Sequence, residues 1–127
     1  MKLSTFTLFL FFMPSLLIGQ EGWLATPESI NQFRAQVESI KPDSTQFDVT
    51  VLNKTIQLTG RALDIRIYKP KGTGLKPTLI YVHGACWVAG SLDSHDEICR
   101  YLAKQSAVNV IAINYRLAPE HKFPDAH

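Results

Sequence analysis

The chain of 127 residues has few cysteines and no concentration of charge. Its two cysteines, Cys86 and Cys99, are too few for a disulfide-stapled scaffold and lack the paired spacing of a zinc site. The 13 basic and 11 acidic residues give a formal net charge of +2, and the basic ones form no block, so nucleic-acid binding is not expected. A hydrophobic content of 46% with 19% charged residues argues against wholesale disorder. The composition therefore predicts at most one modest globular domain.

The first 19 residues differ from the rest of the chain. Lys2 is their only charge, and an apolar run rich in Phe and Leu follows over residues 3–18. Pro14 breaks the run near its end, and Gly19 supplies a small residue at a cleavage point. These features predict a signal peptide over residues 1–19, and hence a secreted or periplasmic protein with no stable membrane span after cleavage. The alternative is an uncleaved membrane anchor, because the uncharged stretch is close to spanning length.

A helical segment is predicted within residues 20–46. Thr26, Pro27 and Glu28 have the order of an N-cap, a first helical residue and an acid favoured by the helix dipole. Apolar residues then recur at spacings of three and four, at Ile30, Phe33, Val37 and Ile40, and Pro42 ends the segment. We expect this helix to pack against the domain, with part of a cap over a site as the alternative.

The period of the pattern then changes from helix to strand. Apolar and polar residues alternate over 47–52 and over 63–68, which predicts two half-exposed strands joined around Gly60. By contrast, residues 78–82 and 108–115 are almost continuously apolar, as in strands covered on both faces.

A helix is expected between the two apolar strands. Ser94 and Glu97 have the spacing of a capping box, and the helix should run to about Ser106. Its apolar face is read as Ile98, Tyr101 or Leu102, and Gln105. Strand, helix and strand within about 40 residues make a βαβ unit with parallel strands. The fold class is therefore α/β, with antiparallel N-terminal strands leading into a parallel sheet.

The segment with the most chemical information is residues 83–87, His-Gly-Ala-Cys-Trp, directly after the first apolar strand. In open α/β sheets, ligands bind outside the carboxyl ends of the strands. Small residues let backbone N–H groups approach a substrate oxygen, and such donors can stabilise the oxyanion of a tetrahedral intermediate.

Two segments resemble the signatures of one enzyme family. Residues 83–91 are similar to the His-Gly-Gly-Gly-Trp loop of the hormone-sensitive-lipase-like esterases, and residues 114–124 to their Tyr-Arg-Leu-Ala-Pro-Glu segment. The two segments have the family's order, with a βαβ unit between them. The resemblance implies that residues 47–127 are the N-terminal part of an α/β-hydrolase domain.

What the resemblance implies about activity is hydrolysis of a small ester substrate by a serine nucleophile, with no metal and no organic cofactor. The sequence contains no Gly-x-Ser-x-Gly, and its last glycine is Gly90. We therefore expect an N-terminal fragment of a carboxylesterase that lacks the triad and is inactive alone. The alternatives are an amide or formamide hydrolase of the same fold, or a non-catalytic, truncated or degenerate module. No particular oligomeric state is predicted.

The resemblance also assigns roles within the loop. It implies that Gly84, Ala85 and Cys86 form the oxyanion-hole loop, in which the amides of Ala85 and Cys86 are the hydrogen-bond donors. His83 and Trp87 would support this loop. The family has glycines where this chain has Ala85 and Cys86. If either position needs φ > 0, the side chain costs on the order of 1 kcal/mol or more.

The same side chains admit other roles. Cys86 beside His83 could form a nucleophile pair, but no third group to orient the base is apparent. A disulfide between Cys86 and Cys99 is allowed in an oxidising compartment. Trp87 is read equally as a pocket residue or as core.

A metal site is not expected either. The residues that could be drawn into one, His83, Asp93, His95 and Asp96, match no ligand spacing. Tyr115 and Arg116 are expected to support the loop region.

Overall fold

The computed structural model describes residues 26–40, 43 and 46–126. The elements of this part of the chain are α1 (Pro27–Ser39), β1 (Val49–Leu58), β2 (Arg61–Pro70), β3 (Thr78–Val82), α2 (Asp96–Ser106) and β4 (Asn109–Ile113). The strands form a four-stranded sheet in the order β1-β2-β4-β3. The predicted signal peptide, residues 1–19, lies outside the described residues. Neither described helix is long and apolar enough to cross a bilayer.

Helix α1 begins as the sequence predicts. The Thr26 hydroxyl accepts a hydrogen bond from the amide of Ser29 at 3.2 Å, and Pro27 is the first helical residue. Of the predicted apolar face only Ile30 is buried, whereas Phe33 and Ile40 are exposed. The helix therefore lies on the domain through a narrow strip of its surface.

The sheet has the predicted mixture of antiparallel and parallel pairs. β1 and β2 form an antiparallel hairpin whose turn contains Gly60 at φ +75°. β2 pairs antiparallel with β4, and β4 pairs parallel with β3 along the whole of β3. The βαβ unit and the antiparallel side of the α/β fold are confirmed.

The first apolar strand is not covered on both faces within the described residues. Leu79, Ile80 and Val82 of β3 have exposed fractions of 39%, 68% and 59%. The reason is position, because β3 is the edge strand and pairs with β4 alone among the described residues. The buried central strand is β4, where Val110 and Ala112 are fully or almost fully covered.

The predicted capping box does not form. Helix α2 has His95 at its N-cap, with no side-chain hydrogen bond to the helix, and it begins at Asp96. The Ser94 hydroxyl instead accepts a hydrogen bond from the amide of Ser91 at 2.8 Å, within the preceding turn. The chain thus turns once more before the helix begins.

The buried face of α2 also differs from the prediction. Cys99 and Ala103 are completely buried, whereas Ile98, Tyr101 and Gln105 are exposed. Leu102, the predicted alternative to Tyr101, does pack against the core. The small side chains of Cys99 and Ala103 pack with Tyr68 of β2 and with β4 in the hydrophobic core. Apolarity alone pointed to the larger residues, but the close approach of the helix to the sheet favours the smaller ones.

A buried carboxylate ties α2 to β2. Asp96 accepts hydrogen bonds from the Tyr68 hydroxyl at 3.0 Å, from Arg66 at 3.3 Å and from Arg100 at 2.6 Å. Burial is the main cause that raises the pKa of Tyr68, so its hydroxyl stays protonated and donates to the carboxylate. Paired in this way, the charge of Asp96 is tolerated beside the core.

Candidate active site

The loop over residues 83–90 leaves the end of β3 and turns with a left-handed backbone. Ala85, Cys86 and Trp87 have φ values of 81°, 59° and 58°. The carbonyl oxygen of Ala85 accepts hydrogen bonds from the amides of Val88 at 3.2 Å and Ala89 at 3.1 Å, which closes the turn. Ala85 and Cys86, which stand where the family has glycine, therefore both have positive φ.

The amides on the other side of this turn have no acceptor. Within the described part of the chain, the backbone N–H groups of residues 84–87 donate no hydrogen bond. Gly84, Cys86 and Trp87 are exposed, and Ala85 is half-buried. A run of unpaired N–H groups at the carboxyl end of a parallel strand can bind an oxygen anion.

His83 lies beneath the loop as a neutral, buried ring. It is 4% exposed and stacks on Tyr115, with ring centroids 4.3 Å apart, and its ring lies tilted against that of His95 at 5.3 Å. Its Nδ1 lies 3.0 Å from the carbonyl oxygen of Gly84, and its Nε2 has no hydrogen-bond partner among the described residues. Burial lowers the pKa of His83, which favours the uncharged imidazole.

Tyr115, two residues after the end of β4, supports the start of the loop. Its hydroxyl donates a hydrogen bond to the carbonyl oxygen of His83 at 2.8 Å. Arg116 points elsewhere, with its guanidinium 3.8 Å from the carboxylate of Asp125. Of the two residues expected to support the loop, Tyr115 contacts it directly.

Gly90 closes the loop at a place where only glycine fits. Its φ is +92°, and a Cβ there would lie 2.5 Å from His83 Nδ1 and 2.9 Å from His83 Cε1. The sequence analysis gave Gly90 no role, although Gly90 lies seven residues after His83 in the segment that resembles the family's loop.

Arg34 of α1 is a second residue that the sequence analysis did not single out. Its Nε donates to the carbonyl oxygen of Val88 at 2.7 Å, and its Nη2 donates to that of Ala118 at 2.9 Å. Both terminal nitrogens also donate to the carboxylate of Glu120, each at 2.7 Å. The hydrogen bonds from Arg34 are the main cause that lowers the pKa of Glu120 to about 2.

Trp87 lies outside the core. Its side chain is 63% exposed, and it borders an apolar cavity of about 320 Å³ together with Ala118, His121, Phe123 and Ala126. Of the two interpretations of Trp87, the structure therefore favours the pocket residue.

The cysteines do not pair, and the acidic residues have other partners. Cys86 is exposed and Cys99 is buried, and both are free thiols. Asp93 forms an ion pair with Arg66 at 2.7 Å. No cluster of three or more His, Cys, Asp or Glu among the described residues could hold a metal ion.

The fold and the loop together define a class of protein. A parallel strand that ends in a loop of free amides, followed by a helix and a parallel strand, is the arrangement of an α/β-hydrolase. Residues 79–127 match the sequence profile of a family described as alpha/beta hydrolase fold. The family profile and the similar esterases both match the part of the chain whose signatures resemble the hormone-sensitive-lipase-like esterases.

Similar proteins carry esterase names. The chain is 36% identical over 122 residues to the carboxylic ester hydrolase LipN of Mycobacterium tuberculosis. This match covers 94% of the chain and 32% of LipN. It is 46% identical over 70 residues to the ethyl acetate hydrolase of Pseudomonas putida, covering 53% of this chain and 22% of that enzyme.

Solved structures give the same picture. The Pyrobaculum calidifontis esterase superposes with a TM-score of 0.69 at 37% identity, covering 76% of this chain and 33% of that structure. The chain thus spans about a third or less of the length of the relatives it matches.

Proposed function

We propose that the protein to which these residues belong is a serine carboxylesterase, and that residues 83–90 form its oxyanion loop. The observation that carries the proposal is the run of amides over residues 84–87, at the end of β3, that donate no hydrogen bond within the described residues. Family membership supports it, since the similar proteins are ester hydrolases by name.

The amides of Ala85 and Cys86 serve as the donors. A serine outside these 127 residues attacks the ester carbonyl, and the two N–H groups bind the negative oxygen of the tetrahedral intermediate. Water then hydrolyses the acyl-enzyme. A single oxyanion donor contributes about 3 kcal/mol to transition-state stabilisation in enzymes where one was removed.

His83 acts by support and not as a base. Its buried ring and its contact with the Gly84 carbonyl leave it no path to an attacking hydroxyl above the loop. Cys86 has no hydrogen bond to His83 in the described structure, so a Cys–His nucleophile pair has no support.

The substrate class is a small ester with an apolar group. The apolar cavity bordered by Trp87 and Phe123 adjoins the loop and has room for a short acyl or aryl group. The apolar leader over residues 1–19 supports export to the periplasm or the medium. Intact mass measurement tests export, because a protein that begins near Gln20 is expected and one that retains Met1 contradicts it.

The activity is tested on the whole reading frame that contains these residues. We expect it to encode Gly-x-Ser-x-Gly within roughly 30–50 codons after His127 and to hydrolyse p-nitrophenyl acetate. A fluorophosphonate should label the serine of that motif. Residues 1–127 alone should give neither turnover nor labelling.

Three results would contradict the proposal in different ways. Turnover by residues 1–127 alone would mean that Cys86 is a nucleophile after all. Faster hydrolysis of p-nitroacetanilide than of the ester would favour an amide hydrolase of the same fold. A whole protein with neither activity nor labelling would be a non-catalytic member of the family.

A further inference from the structure

We propose that Arg34 is a positioning residue for the oxyanion loop: it holds the carbonyl side of the loop so that the amides on the opposite side stay aimed at the substrate. The inference rests on the proposed function. Arg34 lies on α1, which precedes the sheet in sequence and is not part of the loop.

Two consecutive carbonyl groups of the loop are held from outside it. The carbonyl oxygen of Trp87 accepts from the amide of Ala118 at 2.9 Å, and that of Val88 accepts from Arg34 Nε at 2.7 Å. Because a peptide unit is planar, fixing its carbonyl also fixes the direction of its N–H. These two contacts therefore keep the end of the left-handed turn from rotating.

Arg34 also holds the segment that holds the loop. Its Nη2 donates to the carbonyl oxygen of Ala118, the residue whose own amide binds Trp87. One guanidinium thus bridges the loop and the chain after β4. A lysine could not do this, because its single ammonium lacks the planar arrangement of donors.

Glu120 fixes the orientation of the guanidinium. The carboxylate accepts from Nη1 and Nη2 at 2.7 Å each, a bidentate pair. The side chains of Arg34 and Glu120 are 28% and 54% exposed, and exposed ion pairs contribute little to stability. The geometry therefore points to orientation of Arg34, rather than to stability, as the main effect of Glu120.

The loop needs such support because its conformation is strained. Ala85, Cys86 and Trp87 are left-handed without being glycine, and such residues persist where surrounding contacts determine their backbone. Without Arg34, the turn would relax toward ordinary backbone angles and move the Ala85 and Cys86 amides.

The test compares four variants of the whole protein: Arg34→Ala, Arg34→Lys, Glu120→Gln and, as a control, Lys71→Ala. Lys71 forms an exposed ion pair with Asp48 at 2.6 Å, and neither residue lines the loop. We expect Arg34→Ala to lower kcat roughly 10- to 100-fold with KM within about twofold, since a displaced oxyanion donor acts on the transition state. Arg34→Lys should recover little, Glu120→Gln should lose only a few-fold, and the control should match wild type.

Hydrogen exchange gives a second measurement that does not depend on activity. The amides of Val88 and Ala89 are protected by the carbonyl of Ala85, so they report whether the turn is intact. Arg34→Ala should raise their exchange rates at a urea concentration where the protein remains folded, and Lys71→Ala should not.

The outcomes separate this inference from the proposed function. If Arg34→Ala leaves both kcat and the exchange of Val88 and Ala89 at control values, or changes only KM or the unfolding midpoint, the inference is wrong. If the wild-type protein hydrolyses no ester but Arg34→Ala still accelerates exchange, the proposed function fails and the structural role of Arg34 stands.

Discussion

Gly90 is the position at which an added methyl group should be most damaging. In Gly90→Ala the new Cβ would lie 2.5 Å from His83 Nδ1, 2.9 Å from His83 Cε1 and 3.0 Å from the carbonyl oxygen of Gly84. The His83 ring cannot withdraw freely, because it is buried, stacked on Tyr115 and in contact with the ring of His95. The clash must therefore move the loop or the packing beneath it.

Two other glycines separate the contributions to the cost. Gly60 has a positive φ of +75° but nothing within 4 Å of a Cβ, and Gly84 has an open Cβ position and no positive φ. Left-handed backbone costs a non-glycine residue about 1–2 kcal/mol. Overpacking adds about 1–3 kcal/mol, and the less flexible unfolded chain returns about 0.4–1 kcal/mol. We expect a loss of about 2–4 kcal/mol for Gly90→Ala, about 1 kcal/mol for Gly60→Ala, and no loss for Gly84→Ala.

Urea unfolding of the whole protein measures these differences. The three variants should share one m-value, so that shifts in midpoint give the change in the free energy of unfolding. If Gly90→Ala costs no more than Gly60→Ala, His83 is not held against the loop, and the support assigned to it is wrong.

Three further predictions concern side chains around the loop and core. Under native conditions a thiol reagent should label Cys86 quickly and Cys99 only after unfolding, since Cys86 is exposed and Cys99 is buried. Burial also raises the pKa of Cys99 to about 12. Equal labelling rates for the two thiols would contradict this. Asp96→Asn should lower the free energy of unfolding by about 3 kcal/mol in urea titrations, because it leaves the partly buried Arg66 and Arg100 short of a partner. A neutral result would contradict this. Arg34 lowers the pKa of Glu120 to about 2, so the small stability that this exposed carboxylate contributes is present above its ordinary pKa of about 4.3 and is lost as pH falls through about 2. The difference in unfolding midpoint between wild type and Glu120→Gln should therefore shrink between these pH values, and a constant difference would refute the assignment.

The order of elements was predictable because it depends on local patterns. Alternation around Gly60 predicted the hairpin, and the apolar runs on either side of one helix predicted the parallel pair β3 and β4. Burial was less predictable, because it depends on neighbours. Ile80 is apolar enough for a covered strand but is 68% exposed at the sheet edge.

Packing detail also depended on space that the sequence does not show. The large apolar residues Ile98 and Tyr101 suggested the inner face of α2, but Cys99 and Ala103 occupy it. Which side chains fit between a helix and a sheet depends on how the whole domain packs, and local apolarity does not show this.

The candidate loop was found from its resemblance to a family, whereas its support was not. Arg34 is 54 residues from Val88 and 86 from Glu120 in sequence, and no local pattern joins them. A lone arginine on an amphipathic helix is usually a solvated residue, so only its four hydrogen bonds in the folded chain distinguish it.

The same contacts explain how the loop tolerates Ala85 and Cys86 in place of glycine. A glycine would make the left-handed turn less costly in the folded state but would leave more conformations to the unfolded and loosened loop. With side chains present, alternative conformations are fewer, and the outer contacts to Trp87 and Val88 need only select the left-handed one. By the balance that applies to Gly60, glycine at positions 85 and 86 should raise the free energy of unfolding by about 1 kcal/mol each in urea titrations, while making the loop depend more heavily on Arg34 for its orientation.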